Sequence, residues 1–548
     1  MSSAEKGNIM KLREPSQIRK KIVPYVLFPA FVGILTGVLI FIFKICSSAV
    51  VRFSEQIYSF VRQNPIYLPI LVIGAALIGA ISALVLKYAK ECRGGGIPMA
   101  VASIRGLIPL KWVQGVFVLF GSALLTYFVG VPLGNEGPSV QMGTAVGEGS
   151  SRLSKKNKLV YERYLMTCGA CSGFAIATGA PMSGIIFALE EAHRRFSVVL
   201  FTVASISVLS GIVTQRYLSF FFGVDVTFFD LEISGNLPAR YLWVAIIIGV
   251  ACGICSLAFT KLYRAADRFS KLKGSKIPFN AKLIVIFAVT AIFGFFSSGC
   301  IGTGHSLIEE ILHGKILWYA IIFVFCVRAI LMIFANGQGV CGGIFVPNLA
   351  FGAMIASLVA DGLIALKLVE GEYYTILVVV GMASFLVASS RTPITAIAFA
   401  AEGLCAASNI FPVIFGVVVS YIIAEFFGKT SFADSVIESR AEAANKGKDA
   451  VIVYSHMTVQ KDSFADGMEI RDILWPPSCV VLSIDRNPST SAHGIASELR
   501  EGDELHLHYQ TYDPDITLKT LTEILGEQPE NQRMRSHLGG DDHVVPMH

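Results

Sequence analysis

Gly169-Ala-Cys-Ser172-Gly-Phe-Ala-Ile-Ala-Thr-Gly-Ala-Pro181-Met-Ser-Gly-Ile185-Ile-Phe187-Ala188-Leu-Glu190 returns further along the chain. At a constant offset of 212, Gly381, Ser384, Pro393, Ile397, Phe399, Ala400 and Glu402 repeat Gly169, Ser172, Pro181, Ile185, Phe187, Ala188 and Glu190. Upstream, Gly134, Pro138 and Gly143 return at an offset of 209 as Gly343, Pro347 and Gly352. Two collinear blocks in preserved order mark an internal duplication. The three-residue change of offset is a small insertion in a connection.

The repeated blocks lie in an apolar chain. Of 548 residues 53% are hydrophobic and only 16% charged, against about 25% charged in ordinary soluble domains. So little charge cannot solvate the surface of several soluble domains, so this is an integral membrane protein. A bilayer-spanning helix needs about 20 apolar residues, and Ile22–Ile45, Ile66–Leu86, Tyr241–Leu262, Leu283–Ser297 and Leu317–Phe334 approach or reach that length. Trp112–Val131, Ser139–Gly147, Tyr164–Leu189, Val340–Leu366 and Thr375–Ala401 are interrupted by Gly, Pro or small-residue clusters. Broken helices at membrane depth are tolerated where the freed backbone is buried in protein or lines a polar cavity, and in transporters they mark the substrate site. The expectation is an all-α repeat-built transporter or channel, not an enzyme.

Charge divides the chain further. Residues 429–548 hold 20 acidic and 11 basic residues, so the first 428 carry +14. That basicity fits flanks facing the cytoplasm and anionic lipid, and it also suits an anionic substrate. No basic patch is interleaved with aromatics, so nucleic acid is not an expected partner. The pairs Cys168/Cys171 and Cys252/Cys255 lack a second ligand pair at zinc spacing and read as small packing residues, with no metal or cofactor expected. Residues 1–21 read as an uncleaved cytosolic leader. Residues 22–428 form the membrane part, in repeats of about 22–262 and 283–428, and 429–448 a charged, Ala-rich helix or linker. Residues 449–527 read as a small soluble α/β domain, with strands at Val451–Val459, Cys479–Ile484 and Glu504–Tyr509 and a short helical pattern at Phe464–Leu474. From about Gln528 to residue 548 the composition reads as disordered.

Three Gly/Pro-rich elements precede apolar stretches: Gly94-Gly95-Gly96-Ile97-Pro98, Gly134-Asn135-Glu136-Gly137-Pro138 and Gly342-Gly343-Ile344-Phe345-Val346-Pro347. Glycine lets backbone approach closely and proline suits a first helical turn. The first-turn N–H groups then point outward at the positive end of the helix dipole, which suits an anion. Glu136 places a carboxylate inside such an element, where it carries the ligand's own charge and competes for its place. Its protonation would free the site and couple proton to anion. Glu190 and Glu191, after the apolar run Gly184–Leu189, are the second candidates, either as proton carriers or as a cap beside His193, Arg194 and Arg195.

These residues carry a resemblance to the CLC family of chloride channels and chloride/proton antiporters over roughly residues 20–435. The family pattern G-S-G-I-P resembles Gly94–Pro98, G-(R/K)-E-G-P resembles Gly134–Pro138, and G-x-F-x-P resembles Gly343–Pro347. The resemblance implies an inverted-repeat, all-helical homodimer in the cell membrane, with cytosolic termini and one path for chloride and protons per subunit. It matches Glu136 to the external gating glutamate and the amides of Ile344 and Phe345 to the central anion site. Gly95, Gly96, Ile97 and Gly137 complete the anion-binding elements, and Glu191 matches the internal proton-transfer glutamate, with Glu190 its neighbour. An ionisable residue there favours an antiporter over a passive, gated channel.

The chain departs from the family at three residues. Gly95 replaces the filter serine, and Phe432 stands where a tyrosine closes the inner side, so both side-chain hydroxyl donors are gone. Asn135 replaces a basic residue. Fluoride-exporting relatives also lack that serine and tyrosine, so a fluoride/proton antiporter stays open, whereas Gly137-Pro138 argues for the chloride branch. Lys261–Lys282, with seven Lys/Arg against one Asp, belongs with the cytosolic side by charge but on the opposite face by the inverted-repeat argument; the expectation follows the repeat. Finally, Ser463–Ile473, Cys479–Arg486 and Arg500–Leu505 are similar to the C-terminal lobe of RCK-type regulatory domains (TrkA-C), which implies a dimeric lobe that binds a small cytosolic ligand. His506 and His508 share a strand face but lack further metal ligands.

Overall fold

The computed structural model describes residues 23–528, apart from 154–157, 225–227, 230, 232, 234, 273–276, 315, 449 and 487–497, and also the pair 537–538. The first half forms α1 (Phe28–Gln63), α2 (Leu68–Tyr88), α3 (Ile97–Ile104), α4 (Trp112–Val129), α5 (Glu136–Ser151), α6 (Lys158–Thr178), α7 (Pro181–Phe187) and α8 (Val198–Phe222), and α9 (Leu242–Leu272) opens the second. The second continues with α10 (Phe279–Phe296), α11 (His305–Leu312), α12 (Trp318–Gln338), α13 (Phe345–Ala365), α14 (Tyr374–Ser390), α15 (Pro393–Glu402), α16 (Ile410–Phe427) and α17 (Phe432–Ala444). Ten helical segments among the described residues are long and apolar enough to cross a membrane. α1 continues well past Ile45, because Ser54, Tyr58 and Val61 keep a buried stripe at helical spacing beside the charged Arg52, Glu55 and Arg62.

The duplication is visible in the packing. The interrupted segments break where the repeat places the prolines, between α6 and α7 before Pro181 and between α14 and α15 before Pro393. A side chain on Gly143 would fall on the carbonyl of Gly169, and one on its repeat mate Gly352 on the carbonyl of Gly381. The helix pairs α5/α6 and α13/α14 therefore cross at the same glycines. At the centre the halves meet reciprocally. The Glu190 carboxylate accepts from Ile394 N (2.9 Å), Thr395 N (2.6 Å) and Thr395 Oγ1 (2.6 Å) at the start of α15. The Glu402 carboxylate accepts from Met182 N (3.0 Å) and Ser183 N (3.1 Å) at the start of α7. Between them Ser183 Oγ donates to the carbonyl of Thr395, its repeat mate, at 3.2 Å. Each carboxylate thus fills the N-terminal end of the other repeat's helix.

Two expectations are corrected. The basic stretch from Lys261 lies on the face that carries the C-terminal domain, not the opposite one. On α9, Arg264 pairs with Glu438 (3.5 Å) and Lys271 with Glu442 (2.8 Å), while Asp267 accepts from Ser439 (3.1 Å), all three on α17, which leads into that domain. Tyr25 also reaches Met468, placing the start of the first long helix on this face. The charge bias pointed to the right face, and the error lay in the expected repeat bounds of about 22–262 and 283–428. The helices α9, α10 and α11 begin 214, 211 and 208 residues after α1, α2 and α3, so the halves divide between α8 and α9, and Lys261–Lys282 is a connection inside the second half. The second correction concerns the tail. Gln528 is ordered by bonds to the N–H and carbonyl of Thr458 (2.9 and 3.0 Å), and His537–Leu538 forms a short strand. Residues 1–21 and the rest of 529–548 lie outside the described residues.

Residues after α17 form a sheet of order β2-β3-β1-β4, from β1 (Val451–Thr458), β2 (Val480–Asp485), β3 (Glu504–Thr511) and β4 (His537–Leu538), with every pairing antiparallel. The expected helix over Phe464–Leu474 is reduced to one 3-10 turn at Ile470–Asp472, and an unforeseen helix α18 (Pro514–Leu525) is capped by Asp513. The expected linker is largely helical as α17, capped by Ser431. The domain is seated on the membrane part. Tyr161 and Tyr164 pack on Phe464, Arg163 donates to the carbonyls of Leu474 (3.1 Å) and Trp475, and Tyr164 donates to the carbonyl of Asp472.

Candidate functional site

The Gly/Pro-rich elements, far apart in sequence, converge. Gly134 and Gly343 form an isolated antiparallel bridge, each N–H donating to the other's carbonyl at 2.7 and 2.6 Å, and Gly342 N donates to the carbonyl of Gly95 at 3.1 Å. A Cβ on Gly137 would lie 2.5 Å from Gly343 Cα and 2.8 Å from Gly96 Cα. The starts of α3, α5 and α13 are therefore in backbone contact, which only glycine permits. Three helix dipoles direct their positive ends into one buried region without a full positive charge, an arrangement suited to an anion in a low-dielectric interior.

Glu136, the first residue of α5, is fully buried. Among the described residues neither carboxylate oxygen reaches a donor at hydrogen-bonding geometry, although the amides of Glu136 itself and of Val346 face it. The carboxylate therefore sits against the start of α13, beside the amides an anion would use. Among the described residues no ion pair fixes it, so it is able to give way.

The predicted anion ligands fall into distinct settings. Ile97, Ile344 and Phe345 line a cavity of about 20 Å³, room for roughly one water-sized particle. Gly137 is at the three-helix contact. Gly96 N donates to Gln141 Oε1 at 3.0 Å, so this amide is already engaged. A Cβ at Gly95 would lie 2.8 Å from Leu119 Cδ2, so a serine there would require the end of the Leu119 side chain to turn aside. Phe432 packs its buried ring on Phe259 and Tyr263, with centroids 5.1 and 4.8 Å away.

The same small cavity reaches Glu191. The π-turn Ala188–Ala192 carries Glu190 and Glu191, and Arg105 steadies it by donating to the carbonyls of Glu191 (2.7 Å) and Ala192 (3.0 Å). The two glutamates part company here: the carboxylate of Glu190 is spent on the start of α15, whereas that of Glu191 faces the cavity. The order along the path is Glu136, the start of α13, the cavity, then Glu191.

Sequence reasoning missed the other wall of that cavity. Asn348, Ser389, Ser390 and Thr392 line it. Asn348 Nδ2 donates to Ser389 Oγ at 2.8 Å, leaving Oδ1 buried without a partner among the described residues. Ser390 and Thr392 share a hydroxyl bond of 2.6 Å. Gln141 was missed as well, and its Nε2 is buried without a partner. As a buried carboxamide five residues beyond Glu136, it could have been singled out as a polar residue at membrane depth.

Comparison with known proteins agrees with this architecture. Residues 74–425 match the family model described as voltage gated chloride channel. The H(+)/Cl(-) exchange transporter ClcA of Salmonella typhimurium is 27% identical over 463 residues, covering 81% of this chain and 96% of that protein. The crystal structure of a slow cyanobacterial Cl-/H+ antiporter superposes with a TM-score of 0.70 at 23% identity, over 77% of this chain and 99% of the other. That of a CLC-type fluoride/proton antiporter gives 0.61 at 18% identity, over 74% and 96%. With the matched model spanning most of the chain, the helix-start convergence and the duplicated halves, this multi-pass membrane protein belongs to the voltage gated chloride channel family.

Proposed function

We propose that the protein exchanges chloride for protons across the membrane. The observation that carries this reading is one arrangement: a buried glutamate at converging helix starts, unpaired among the described residues, with the start of one of those helices lining a small cavity that a second glutamate also lines. The anion is held by first-turn N–H groups of α3, α5 and α13. Ionised Glu136 occupies the same field and excludes it. Protonation removes that charge, the side chain gives way and the anion passes. The proton on Glu136 passes to Glu191 along water that enters past the start of α13 and includes one molecule in the cavity: each O–H bond broken on one carboxyl is replaced by one formed on water and then on the other. Asn348 Oδ1 and the Ser390–Thr392 hydroxyls hold that water. Chloride moving one way then requires protons moving the other.

The ring at Phe432 and the hydrogen at Gly95 offer no hydroxyl. One hydrogen bond to a charged group contributes about 1.5–3 kcal/mol, so the pathway needs donors elsewhere. The Ser390–Thr392 pair is suitably placed, since Thr392 can turn its O–H from Ser390 towards an anion. Glu190 serves here as a helix-filling carboxylate and Glu191 as the proton carrier. The names of the exchange transporter and antiporter relatives support the same reading. We assign cytosolic termini, a homodimer and a ligand-responsive C-terminal lobe as parts of the proposal.

In proteoliposomes, an imposed chloride gradient should drive uphill proton movement, and Glu191→Gln should abolish it while anion flux persists. Chloride flux with no reversal-potential shift under a pH gradient would overturn exchange in favour of a passive channel. A strong preference for fluoride in an anion-competition series would overturn the choice of chloride.

A further inference from the structure

The cavity of about 580 Å³ between the membrane part and the C-terminal domain takes no part in the path above. Its size is that of small-molecule sites, typically about 300–1,000 Å³ and often found at domain interfaces. One wall is Arg195, from the segment joining Glu191 to α8. The other is built by the domain: Arg471 and Glu469 among the polar groups, and Ile470, Val480 and Val481 among the apolar ones.

The charges define what fits. Arg471 Nε pairs with Glu469 at 2.5 Å and is neutralised. The Arg195 guanidinium has no hydrogen bond or ion pair among the described residues; the nearby Asp472 carboxylate takes its bond from Ser197 Oγ at 2.7 Å. The cleft therefore offers one uncommitted planar cation above an apolar floor. A guanidinium fork matches two phosphate oxygens, and one available fork matches one phosphodiester. The position adds a second constraint. Phe196 and Val198, 62% and 67% exposed, follow Arg195 directly where α8, a candidate membrane span, begins. Arg195 thus stands at the level where that helix enters the bilayer.

We propose that this cleft binds a phosphodiester monoanion bearing an apolar body, and that its occupancy changes the rate of transport. The source is either an anionic lipid headgroup or a soluble phosphodiester. The coupling route is short. Arg195 N donates to the carbonyl of Leu189 at 2.9 Å, closing the turn that carries Glu190 and Glu191. The facing wall is fastened to the membrane part through Asp472 and Leu474. A ligand bridging Arg195 to the domain therefore acts on the segment that positions Glu191. The effect on rate rests on the exchange reading; the binding does not.

The test uses full-length protein and two probes, short-chain phosphatidylglycerol and cyclic AMP, read by thermal unfolding. Exchange is measured in phosphatidylcholine vesicles with and without phosphatidylglycerol. At least one probe should raise the unfolding midpoint by about 2–4 °C, and Arg195→Gln should weaken it about tenfold to a hundredfold. Glu469→Gln, which frees Arg471, should tighten it. A response to phosphatidylglycerol alone assigns the headgroup, and a response to cyclic AMP assigns a soluble ligand. No response in wild type, or equal responses in wild type and Arg195→Gln, overturns the site. If wild type shows the Arg195-dependent midpoint shift but no coupled exchange, the transport reading fails and the site stands. Exchange that ignores a bound probe overturns the regulatory half.

Discussion

Gly137→Ala adds one methyl group at the point where three helix starts touch. Its carbon would sit 2.5 Å from Gly343 Cα, 2.8 Å from Gly96 Cα and 3.1 Å from Gly343 N, all backbone atoms that no rotamer change can clear. Ordinary contact begins near 3.4 Å, so α13 must retreat by about 0.9 Å and α3 by about 0.6 Å. In an unconstrained helix the same change would gain about 0.5–1 kcal/mol. Overpacking costs about 1–3 kcal/mol, so the net effect is a loss of roughly 1–2 kcal/mol. Function should suffer more than stability. Displacing the donors of two helices by this distance removes at least one hydrogen bond to the anion, about 1.5–3 kcal/mol or roughly tenfold to a hundredfold in affinity. Chloride titration calorimetry on purified protein, with thermal unfolding beside it, reads both quantities. Gly121→Ala in α4 is the control, because a Cβ there meets nothing within 4 Å. Chloride affinity within twofold of wild type, at an unchanged unfolding midpoint, would refute the claim that these three helix starts hold the anion.

Other outcomes follow from the same geometry. Ser390→Ala with Thr392→Val removes the hydroxyl pair from the cavity wall and should weaken chloride binding about tenfold, measured by the same titration; unchanged affinity would leave the anion to backbone donors alone. Glu402→Ala strips two charge-assisted bonds from the start of α7 and should cost about 1.5–3 kcal/mol, seen as a lower thermal midpoint without loss of coupling. In the C-terminal domain, burial alone would raise the Asp503 carboxyl, but the bonds from Arg486 and from Arg500 N hold it below its ordinary value. Its folded pKa is depressed, so its contribution is full above the unfolded value of about 3.9 and fades as pH falls through the folded one. Arg486→Met should therefore move acid unfolding of the domain to higher pH, followed by near-ultraviolet circular dichroism; an unmoved transition would show that the pair adds nothing.

The central architecture was legible because duplication leaves arithmetic behind. The offsets 209 and 212 anticipate the Gly134–Gly343 bridge and the matched glycine crossings, and the Gly/Pro elements anticipate helix starts. Pairing Glu190 with Glu402 as repeat mates was readable too, but not that each reaches across to the other half. That contact depends on how two helices meet at a local axis. The cavity wall was hidden for a similar reason, since Asn348 and Ser390 are 42 positions apart and adjoin only after α13 and α14 pack. The extension of α1 was missed because its last turns exchange continuous apolarity for a buried stripe. The side taken by Lys261–Lys282 was readable from charge, and the error came from drawing the repeat boundary there when the same offsets put it between α8 and α9. α18 announced itself through Asp513-Pro514, a cap followed by a first-turn proline.

The crossed carboxylates of Glu190 and Glu402 carry a consequence for the history of the chain. A residue on one half that grips the other half, answered by its counterpart in return, is the self-complementary contact made by two identical subunits about a twofold axis. The polypeptide carries in its interior the interface of an ancestral pair whose members were later joined end to end. Such an interface needs no covalent link to be specific. Cut between α8 and α9, the two fragments should still find each other when made together in one membrane.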